Sequence, residues 1–203
     1  MAAVITAIGS VLAGAAVGSV PSGYLIGIAR GVDVRAVGSG NIGFTNVFRT
    51  LGWWGIPVLV ADVTKGLLPV AVSPALGLLG PAVGLGAVLG HTFTPWLSFR
   101  GGKGVATALG ASTLLCPRSL AAGMAVFAVI LIAFGFVSLS SMSLAVVLAP
   151  FTALLYPGDG TLLGCTAIVG AIILVKHLPN IRRLASGAEP RFGPWTRIFR
   201  RGR

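Results

Sequence analysis

Long apolar segments with almost no charged residues constrain this chain more than any other feature of its sequence. Only 9% of the 203 residues are charged and 55% are hydrophobic, whereas a soluble domain carries about 25% charged residues. The chain has too few polar side chains to cover a surface that faces water. Since a transmembrane helix needs about 20 apolar residues, we predict an all-α, polytopic integral membrane protein.

Seven apolar segments are the predicted transmembrane helices. The first is expected to bend at Pro21, and its Gly14 and Gly18 are expected to pack closely on a neighbouring helix. The fourth is too short to span upright on its own, and whether it crosses fully stays open. We expect one membrane domain over residues 1–203, with a basic tail over 179–203. The predicted helices cover residues 3–29, 53–72, 81–97, 105–116, 119–137, 139–156 and 161–178.

Lysine and arginine are distributed asymmetrically along these segments. If the N-terminus lies outside, the inward segments hold 13 of the 15 Lys and Arg residues, and the outward loops hold only Arg118. This bias predicts an outside N-terminus and a cytoplasmic C-terminus in a multi-pass cell-membrane protein. The loop 30–52, the turn 99–104, a polar joint at 138–141 and the tail would then share the cytoplasmic face.

The net charge of +11 would suggest nucleic-acid binding in a soluble protein. In a membrane protein it is better explained by the positive-inside bias and by anionic ligands or lipids, so no nucleic-acid partner is predicted. Neither histidine has companions at metal-ligand spacing, and no metal or cofactor is predicted. We interpret the N-terminal apolar segment as a helix rather than as a removed signal peptide.

Two glycine-rich segments are candidate anion sites. In residues 38–49, hydroxyl and amide side chains precede Arg49, whose guanidinium can form a forked contact with phosphate. In residues 99–104, glycines would let backbone N–H groups approach an anion beside Lys103. The alternative is that both segments are structural turns, the second with cations that anchor it at the membrane.

Polar residues within or beside the helices are the next candidates. Asp62 and Lys65 are three residues apart on one helix face, where they form either a structural pair or part of a pocket. His91 is better interpreted as a hydrogen-bonded anchor than as a catalyst. His177 and Asn180 follow the last helix, and plain anchoring by cations explains them poorly.

Several nucleophile and phosphate motifs are missing. The chain has no Gly-x-Ser-x-Gly elbow, no Walker A loop and no His-x4-Asp pair. A reaction here would need an activated substrate and strong stabilisation of developing charge rather than a nucleophile–base relay.

Four motifs in order resemble those of one enzyme family. They are SGNIGFTNVFR at 39–49, DVTKG at 62–66, GHTF at 90–93 leading to FRGGKGVAT at 99–107, and HLPNIRRL at 177–184 followed by Gly187 and Glu189. This series closely resembles the bacterial acyl-phosphate:glycerol-3-phosphate acyltransferase (PlsY) family. The resemblance covers nearly the whole chain.

The resemblance implies a seven-helix inner-membrane enzyme of phospholipid biosynthesis, surrounded by membrane lipids. Such an enzyme moves a fatty acyl group from acyl phosphate to the sn-1 hydroxyl of glycerol 3-phosphate, giving 1-acylglycerol 3-phosphate and phosphate. The proton acceptor is either a substrate phosphate oxygen, which we favour, or His177. The implied catalytic residues are Ser39, Arg49, Lys103, His177 and Asn180. The implied substrate-binding residues are Gly40, Asn41, Thr45, Asn46, Lys65, Gly101, Gly102, Gly104 and Ser141.

Two other function classes compete with this enzyme. A small transporter for phosphate or organophosphate would use the glycine loops as a gate, but transporters usually carry internal repeats and midplane sites. We find no repeat, and the polar groups cluster toward one face. A purely structural membrane subunit would not need Asp62, Lys65, His177 and Asn180.

Overall fold

The computed structural model describes residues 1–192, which form ten α-helices and three short 3-10 turns, with no strand among them. The prediction of an all-helical chain is therefore confirmed. The helices are α1 (Ala2–Gly18), α2 (Ser22–Ala29), α3 (Phe44–Leu51), α4 (Gly55–Val72), α5 (Gly80–Thr92), α6 (Val105–Leu115), α7 (Pro117–Phe134), α8 (Val137–Leu155), α9 (Gly160–Lys176) and α10 (Leu178–Ala185).

Within residues 1–192, four helical segments are long and apolar enough to cross a membrane. A fifth results if α9 and α10, which are bent by 51° at their junction, count as one broken span. Helix α6 is a shorter apolar helix, as its short apolar segment predicted. The four continuous segments are Ala2–Ala29, Phe44–Val72, Pro117–Phe134 and Val137–Leu155.

The sequence missed helix α3, because we predicted residues 30–52 to be one polar loop. Four apolar residues in this stretch, Phe44, Val47, Phe48 and Leu51, follow the spacing of one helix face. The glycine and amide residues just before them obscured that pattern. Thr45, Asn46 and Arg49 consequently lie on a helix rather than in a loop, and a 3-10 turn over Gly52–Trp54 joins this helix to α4.

Three predicted boundaries also differ from the structure. Helix α5 stops at Thr92 rather than at residue 97, because Thr94 precedes Pro95 and is extended, with ψ of 125°. The serines at 138–141 belong to the start of α8; the actual joint is Gly135, whose φ of 72° ends α7. The first residues of the predicted tail form most of α10. Residues 193–203 of that tail lie outside the described part of the chain.

Small residues bring the helices into backbone contact. A Cβ atom added at Gly14 or Gly18 of α1 would overlap the α5 backbone, and one at Gly66 of α4 would overlap the Thr107 carbonyl of α6. The contact between α4 and α6 is reciprocal, because a Cβ at Gly110 would overlap the Val63 carbonyl. Close backbone approach of this kind is how small residues stabilise helix pairs in membranes, and the predicted packing of Gly14 and Gly18 is confirmed.

Buried polar contacts fix the break between α1 and α2. The chain leaves helical geometry after Gly18 and resumes it at Ser22, so the predicted bend at Pro21 is confirmed. Asp62 and Lys65 pair at 2.8 Å. The Lys65 ammonium also donates to the Val20 carbonyl at 2.8 Å, and the Ser22 hydroxyl donates to Asp62 at 2.9 Å. The Val20 carbonyl also accepts from the Ser22 N–H at 3.0 Å, so Lys65 is its second donor and the pair ties the break to α4.

Replacing Gly110 with valine should separate α4 from α6, because the new side chain overlaps the Val63 carbonyl. Overpacking of this kind costs about 1–3 kcal/mol, so we expect a lower melting temperature for the purified protein in detergent. Gly164→Val is the matched control, since nothing lies within 4 Å of a Cβ at that helical glycine. Equal melting temperatures for the two variants would contradict the close α4–α6 contact.

Candidate functional site

A cavity of about 320 Å³ opens where α3, α4, α6, α7, α8 and the α9–α10 junction come together. Its lining contains both polar and apolar side chains, so the cavity suits a ligand with a charged head and a hydrocarbon tail. The polar lining residues, called the polar wall below, are Ser39, Asn41, Thr45, Asn46, Arg49, Asp62, His91, Lys103, Ser138, Ser141, His177, Asn180, Arg183 and Glu189. The apolar lining residues, called the apolar wall, are Phe44, Leu59, Val105, Ala106, Leu109, Met124, Phe127, Leu131, Val137, Leu144 and Phe192.

The structure brings nine of the fourteen predicted site residues to this cavity, although they come from segments far apart in sequence. The five that do not line it are four glycines, Gly40, Gly101, Gly102 and Gly104, and Lys65, whose ammonium binds Asp62 and Val20. The nine that line it are Ser39, Asn41, Thr45, Asn46, Arg49, Lys103, Ser141, His177 and Asn180.

Asn46 organises the segment that carries Ser39. Its buried amide donates to the carbonyls of Val34 at 2.9 Å and Val37 at 3.1 Å, and its oxygen accepts from the Ser39 N–H at 2.8 Å. Nearby, the Asn41 oxygen accepts from the N–H of Gly43 at 2.8 Å, an Asx turn that leads into α3. The Asn46 amide therefore acts on the backbone and sets the position of Ser39 at the cavity.

The turn before α6 differs from the predicted backbone anion cradle. The Gly101 N–H donates to the Thr92 carbonyl and the Gly102 N–H to the His91 carbonyl, both at 3.1 Å. These carbonyls end α5 and have no partner within that helix, so the glycine N–H groups satisfy them. The prediction that Gly101 and Gly102 offer N–H groups to an anion was wrong, and the charge of Lys103 is what this turn directs at the cavity.

A continuous hydrogen-bonded chain joins Lys103 to the segment after α10. The Lys103 ammonium donates to the Asn180 oxygen at 2.5 Å, and the Asn180 amide donates to Glu189 at 2.6 Å. Arg183 donates to the other oxygen of Glu189 at 2.7 Å. Arg49 donates to the Pro190 carbonyl at 3.1 Å. The segment that follows α10 therefore folds back over the cavity and holds its cations in place.

Arg183 and Glu189 are site residues that the sequence did not single out. From the sequence we noted both only as part of the family pattern, Arg183 within residues 177–184 and Glu189 after them. A usable signal existed, because Glu189 is one of only four acidic residues and lies among many arginines. A buried carboxylate in such a basic segment needs cationic partners.

Burial and neighbouring groups shift the pKa values of Lys103 and Glu189, two members of this hydrogen-bonded chain. Burial lowers the pKa of Lys103 to about 8; attraction to Glu189 opposes the shift, and repulsion from Arg183 and Arg49 adds to it. Burial alone would raise the pKa of the Glu189 carboxyl. Hydrogen bonds from its neighbours, Asn180 and Arg183 among them, outweigh burial and hold this pKa below its usual value. Glu189 is therefore a fixed anion at neutral pH.

His177 lies at the bend between α9 and α10, with Nδ1 2.8 Å from the Ile173 carbonyl. Because a carbonyl only accepts, this contact requires a proton on Nδ1. In the neutral ring, Nε2 is then left as an acceptor. The bend places His177 and Asn180 on the same cavity wall. Within residues 1–192, no three His, Cys, Asp or Glu side chains are placed to hold a metal ion.

Comparison with known proteins adds an independent observation. Residues 8–187 match a family model described as glycerol-3-phosphate acyltransferase. Proteins of that name from Geobacter sulfurreducens and Rubrobacter xylanophilus are 48% and 44% identical over 180 and 188 residues, which cover 87% and 90% of this chain and 92% and 94% of theirs.

Two solved structures resemble this one. Both are crystal structures of PlsY (YgiH), described as an integral membrane glycerol 3-phosphate acyltransferase. The glycerol 3-phosphate form has a TM-score of 0.84 and 34% identity, and the lysophosphatidic acid form has 0.81 and 33%. Each comparison covers 98% of this chain and 100% of the solved chain.

Replacing Glu189 with glutamine should destabilise the protein, because a neutral amide loses its charged hydrogen bond with Arg183. Hydrogen bonds to charged groups contribute about 1.5–3 kcal/mol, so we expect the melting temperature in detergent to fall. Asp33→Asn is the matched control, since Asp33 pairs with Arg35 at the exposed surface, where ion pairs contribute little. An equally small effect of both substitutions would show that Glu189 does not hold the site together.

Proposed function

This chain belongs to the glycerol-3-phosphate acyltransferase family, and on that premise we propose that it transfers a fatty acyl group from acyl phosphate to the sn-1 hydroxyl of glycerol 3-phosphate. The products are 1-acylglycerol 3-phosphate and inorganic phosphate. The observation that carries the proposal is the single cavity with cations on one wall and apolar side chains on the other. Both substrates carry phosphate, and one of them also carries a hydrocarbon chain.

The cationic wall suits glycerol 3-phosphate. Arg49, Lys103 and Arg183 line the cavity together with two carboxylates. Asp62 is already paired with Lys65, which leaves Glu189 against three cations, so a phosphate dianion would meet net positive charge. We assign Arg49 and Lys103 to this phosphate, because arginine and lysine form strong, charged hydrogen bonds with phosphate oxygens. The remaining residues of the glycerol 3-phosphate site are Ser141, His177 and Asn180, which we assign to the phosphate and the glycerol hydroxyls.

The apolar wall suits the acyl chain of the donor. Leu109 lies about one helical turn from the start of α6, and Met124 lies almost three turns before the end of α7, so an acyl chain would run between these helices toward the membrane. We assign the acyl phosphate head to the start of α3 and the segment before it, with Ser39, Asn41 and Thr45. Asn46 and Gly40 shape that segment, because Asn46 binds the Ser39 backbone and Gly40 has a φ of 70°.

The proposed chemistry needs no acyl-enzyme, because acyl phosphate is already an activated mixed anhydride. The sn-1 oxygen forms a bond to the acyl carbon, and the bond from that carbon to the phosphate oxygen breaks. The phosphate leaves with the bonding electron pair, and the hydroxyl proton passes to a phosphate oxygen or to Nε2 of His177. Lys103 holds the phosphate of glycerol 3-phosphate, and its positive charge also stabilises the negative charge that develops on the leaving phosphate of the donor. The walls align the two substrates.

The remaining predicted residues act through position. Gly101 and Gly102 bind the end of α5, and Gly104, with φ of 82°, turns the chain into α6. Lys65 pairs with Asp62 behind the cavity. We propose that these residues set the geometry of Lys103 and the cavity wall rather than contact substrate.

We also propose seven membrane crossings within one domain, with the N-terminus outside, the C-terminus cytoplasmic and the cavity open to the cytoplasm. Helices α5 and α6 are about 20 and 17 Å long, too short for a hydrocarbon core of about 30 Å. Non-helical residues would complete these two crossings, which is tolerated where backbone is buried in protein. Thr94 and Leu97, between the two helices, are indeed buried.

A cysteine introduced at Ser186 should react with an impermeant maleimide only after intact cells are opened, whereas one at Pro157 should react without opening. Both positions are exposed in the structure and lie on opposite sides in the proposed topology. Labelling of both from the same side would overturn the seven-crossing arrangement.

The purified protein should convert acyl phosphate and labelled glycerol 3-phosphate into labelled lysophosphatidic acid, and acyl-CoA should not replace acyl phosphate. Lys103→Ala should lower kcat/KM by about 100-fold or more, the usual cost of losing a group that stabilises developing charge. Lys176→Ala is the control, because Lys176 lies over the Phe93 ring and does not line the cavity. Folded protein that gives no product, or that only moves the substrate across vesicles, would overturn the proposed activity.

The pH dependence should report Lys103. Its pKa of about 8 means that the ammonium is charged below pH 8 and loses its charge above it. We therefore expect kcat/KM for glycerol 3-phosphate to be level near pH 7 and to fall as the pH rises above about 8, since this parameter reports the free enzyme. Lys103→Arg, which stays charged, should remain level up to pH 9.5 even if it is slower. A fall in both proteins would assign the titration to another group.

A further inference from the structure

A buried polar cluster that the proposed reaction does not use reaches the cavity lining through Asp62 and His91. It consists of Ser22, Asp62, Lys65 and His91, all nine-tenths or more buried. Asp62 binds both Ser22 and Lys65, and its Oδ1 lies 3.7 Å from Nδ1 of His91. That distance is longer than a hydrogen bond, and Nδ1 has no closer polar partner among residues 1–192. Nδ1 of the enclosed imidazole therefore makes no hydrogen bond within the described part of the chain.

His91 makes two contacts with the turn that carries Lys103. Its backbone carbonyl accepts from the Gly102 N–H at 3.1 Å. Its ring lies against the Cα atom of the same glycine, because a Cβ there would overlap Nε2 and come within 2.6 Å of Cε1. The backbone and the side chain of His91 thus both contact Gly102, the residue directly before Lys103.

Space rather than backbone conformation requires glycine at this position. Gly102 does not have a positive φ, so another residue could adopt its backbone geometry. What excludes a side chain is the His91 ring. Gly101 differs, because a Cβ there would overlap the carbonyl of His91, which is backbone and present whatever residue stands at 91.

We propose that His91 is a positioning residue whose ring packs against Gly102 and thereby fixes Lys103 relative to Asn180 and the cavity. Asp62 encloses the ring from the opposite side and is itself held by Ser22 and Lys65. Through these contacts, the break between α1 and α2 is coupled to the position of the Lys103 ammonium. The inference rests on the proposed acyl transfer for its kinetic readout only.

The test is a double-mutant cycle on kcat/KM with acyl phosphate and glycerol 3-phosphate. Gly102→Ala should lower kcat/KM by about 100-fold, as a displacement of about 1 Å at a reacting site does. His91→Ala should cost about 10-fold, because Lys103 keeps its place less well. In the His91→Ala background, Gly102→Ala should cost little more, because the ring that it overlaps is gone.

Gly101→Ala is the matched control, because its overlap is with backbone. Its loss of activity should be unchanged in the His91→Ala background. If Gly102→Ala is as harmful with the ring removed as with the ring present, the proposal is wrong. If Gly102→Ala cannot be purified but the double variant can, the ring is the cause; if neither can be purified while His91→Ala can, the proposal fails.

A second readout does not depend on the reaction. The chain has three lysines, Lys65, Lys103 and Lys176. Lys65 is buried and belongs to the cluster under test, so competitive acetylation followed by peptide mass analysis measures the reactivity of Lys103 against Lys176 as the internal reference. Gly102→Ala should change the relative reactivity of Lys103 at least about 3-fold, and adding His91→Ala should return it to the value for His91→Ala alone. If the protein shows this pattern but has no acyltransferase activity, the proposed function is refuted and the positioning role of His91 stands. If Gly102→Ala leaves the relative reactivity of Lys103 unchanged, the positioning role is refuted.

Discussion

The cost of leaving a polar group unsatisfied in an apolar bundle governs this structure. An ionised side chain or an open backbone carbonyl away from water costs several kcal/mol, so each one inside the bundle determines what lies beside it. At the break between α1 and α2, the Val20 carbonyl accepts from the Ser22 N–H and from the Lys65 ammonium. Lys65 in turn requires Asp62, and Asp62 lies beside His91 at the end of α5. One interrupted helix thus specifies a polar cluster that extends to the wall of the cavity.

The same cost explains how the cavity holds cations without a substrate. Lys103, Arg49 and Arg183 would repel one another in a space of this size, and burial lowers the pKa of Lys103. Glu189, which binds Arg183 directly and Lys103 through Asn180, supplies the compensating charge. The cavity therefore keeps a net positive charge in place for the anionic substrates that we propose, while Glu189 limits that charge. Preorganised charge of this kind is the largest contribution that a protein makes to reactions in which charge develops.

Features set by local chemistry could be predicted from the sequence, and features set by distant contacts could not. The bend at Pro21, the Asp62–Lys65 pair and the short helix α6 each follow from residues within one turn of one another, and each was confirmed. Helix α3 was missed because the glycine and amide residues before it outweighed, in our interpretation, a clear apolar period that covers only eight residues. The contact of Arg183 with Glu189, and the fold of this segment over Arg49, depend on a return of the chain after α10 that no local pattern encodes.

The turn over residues 101–104 shows why glycine alone does not identify an anion cradle. Its sequence has the glycines that such a cradle needs, yet two of their N–H groups bind the last carbonyls of α5. That use depends on where α5 ends, which Thr94 and Pro95 decide several residues earlier. With those two N–H groups occupied, what this turn presents to the cavity is the side chain of Lys103, and we assign the phosphate to its ammonium. Gly101 and Gly102 then matter because their lack of a side chain leaves space for the α5 backbone and for the His91 ring. The position of the Lys103 ammonium therefore follows from where α5 ends.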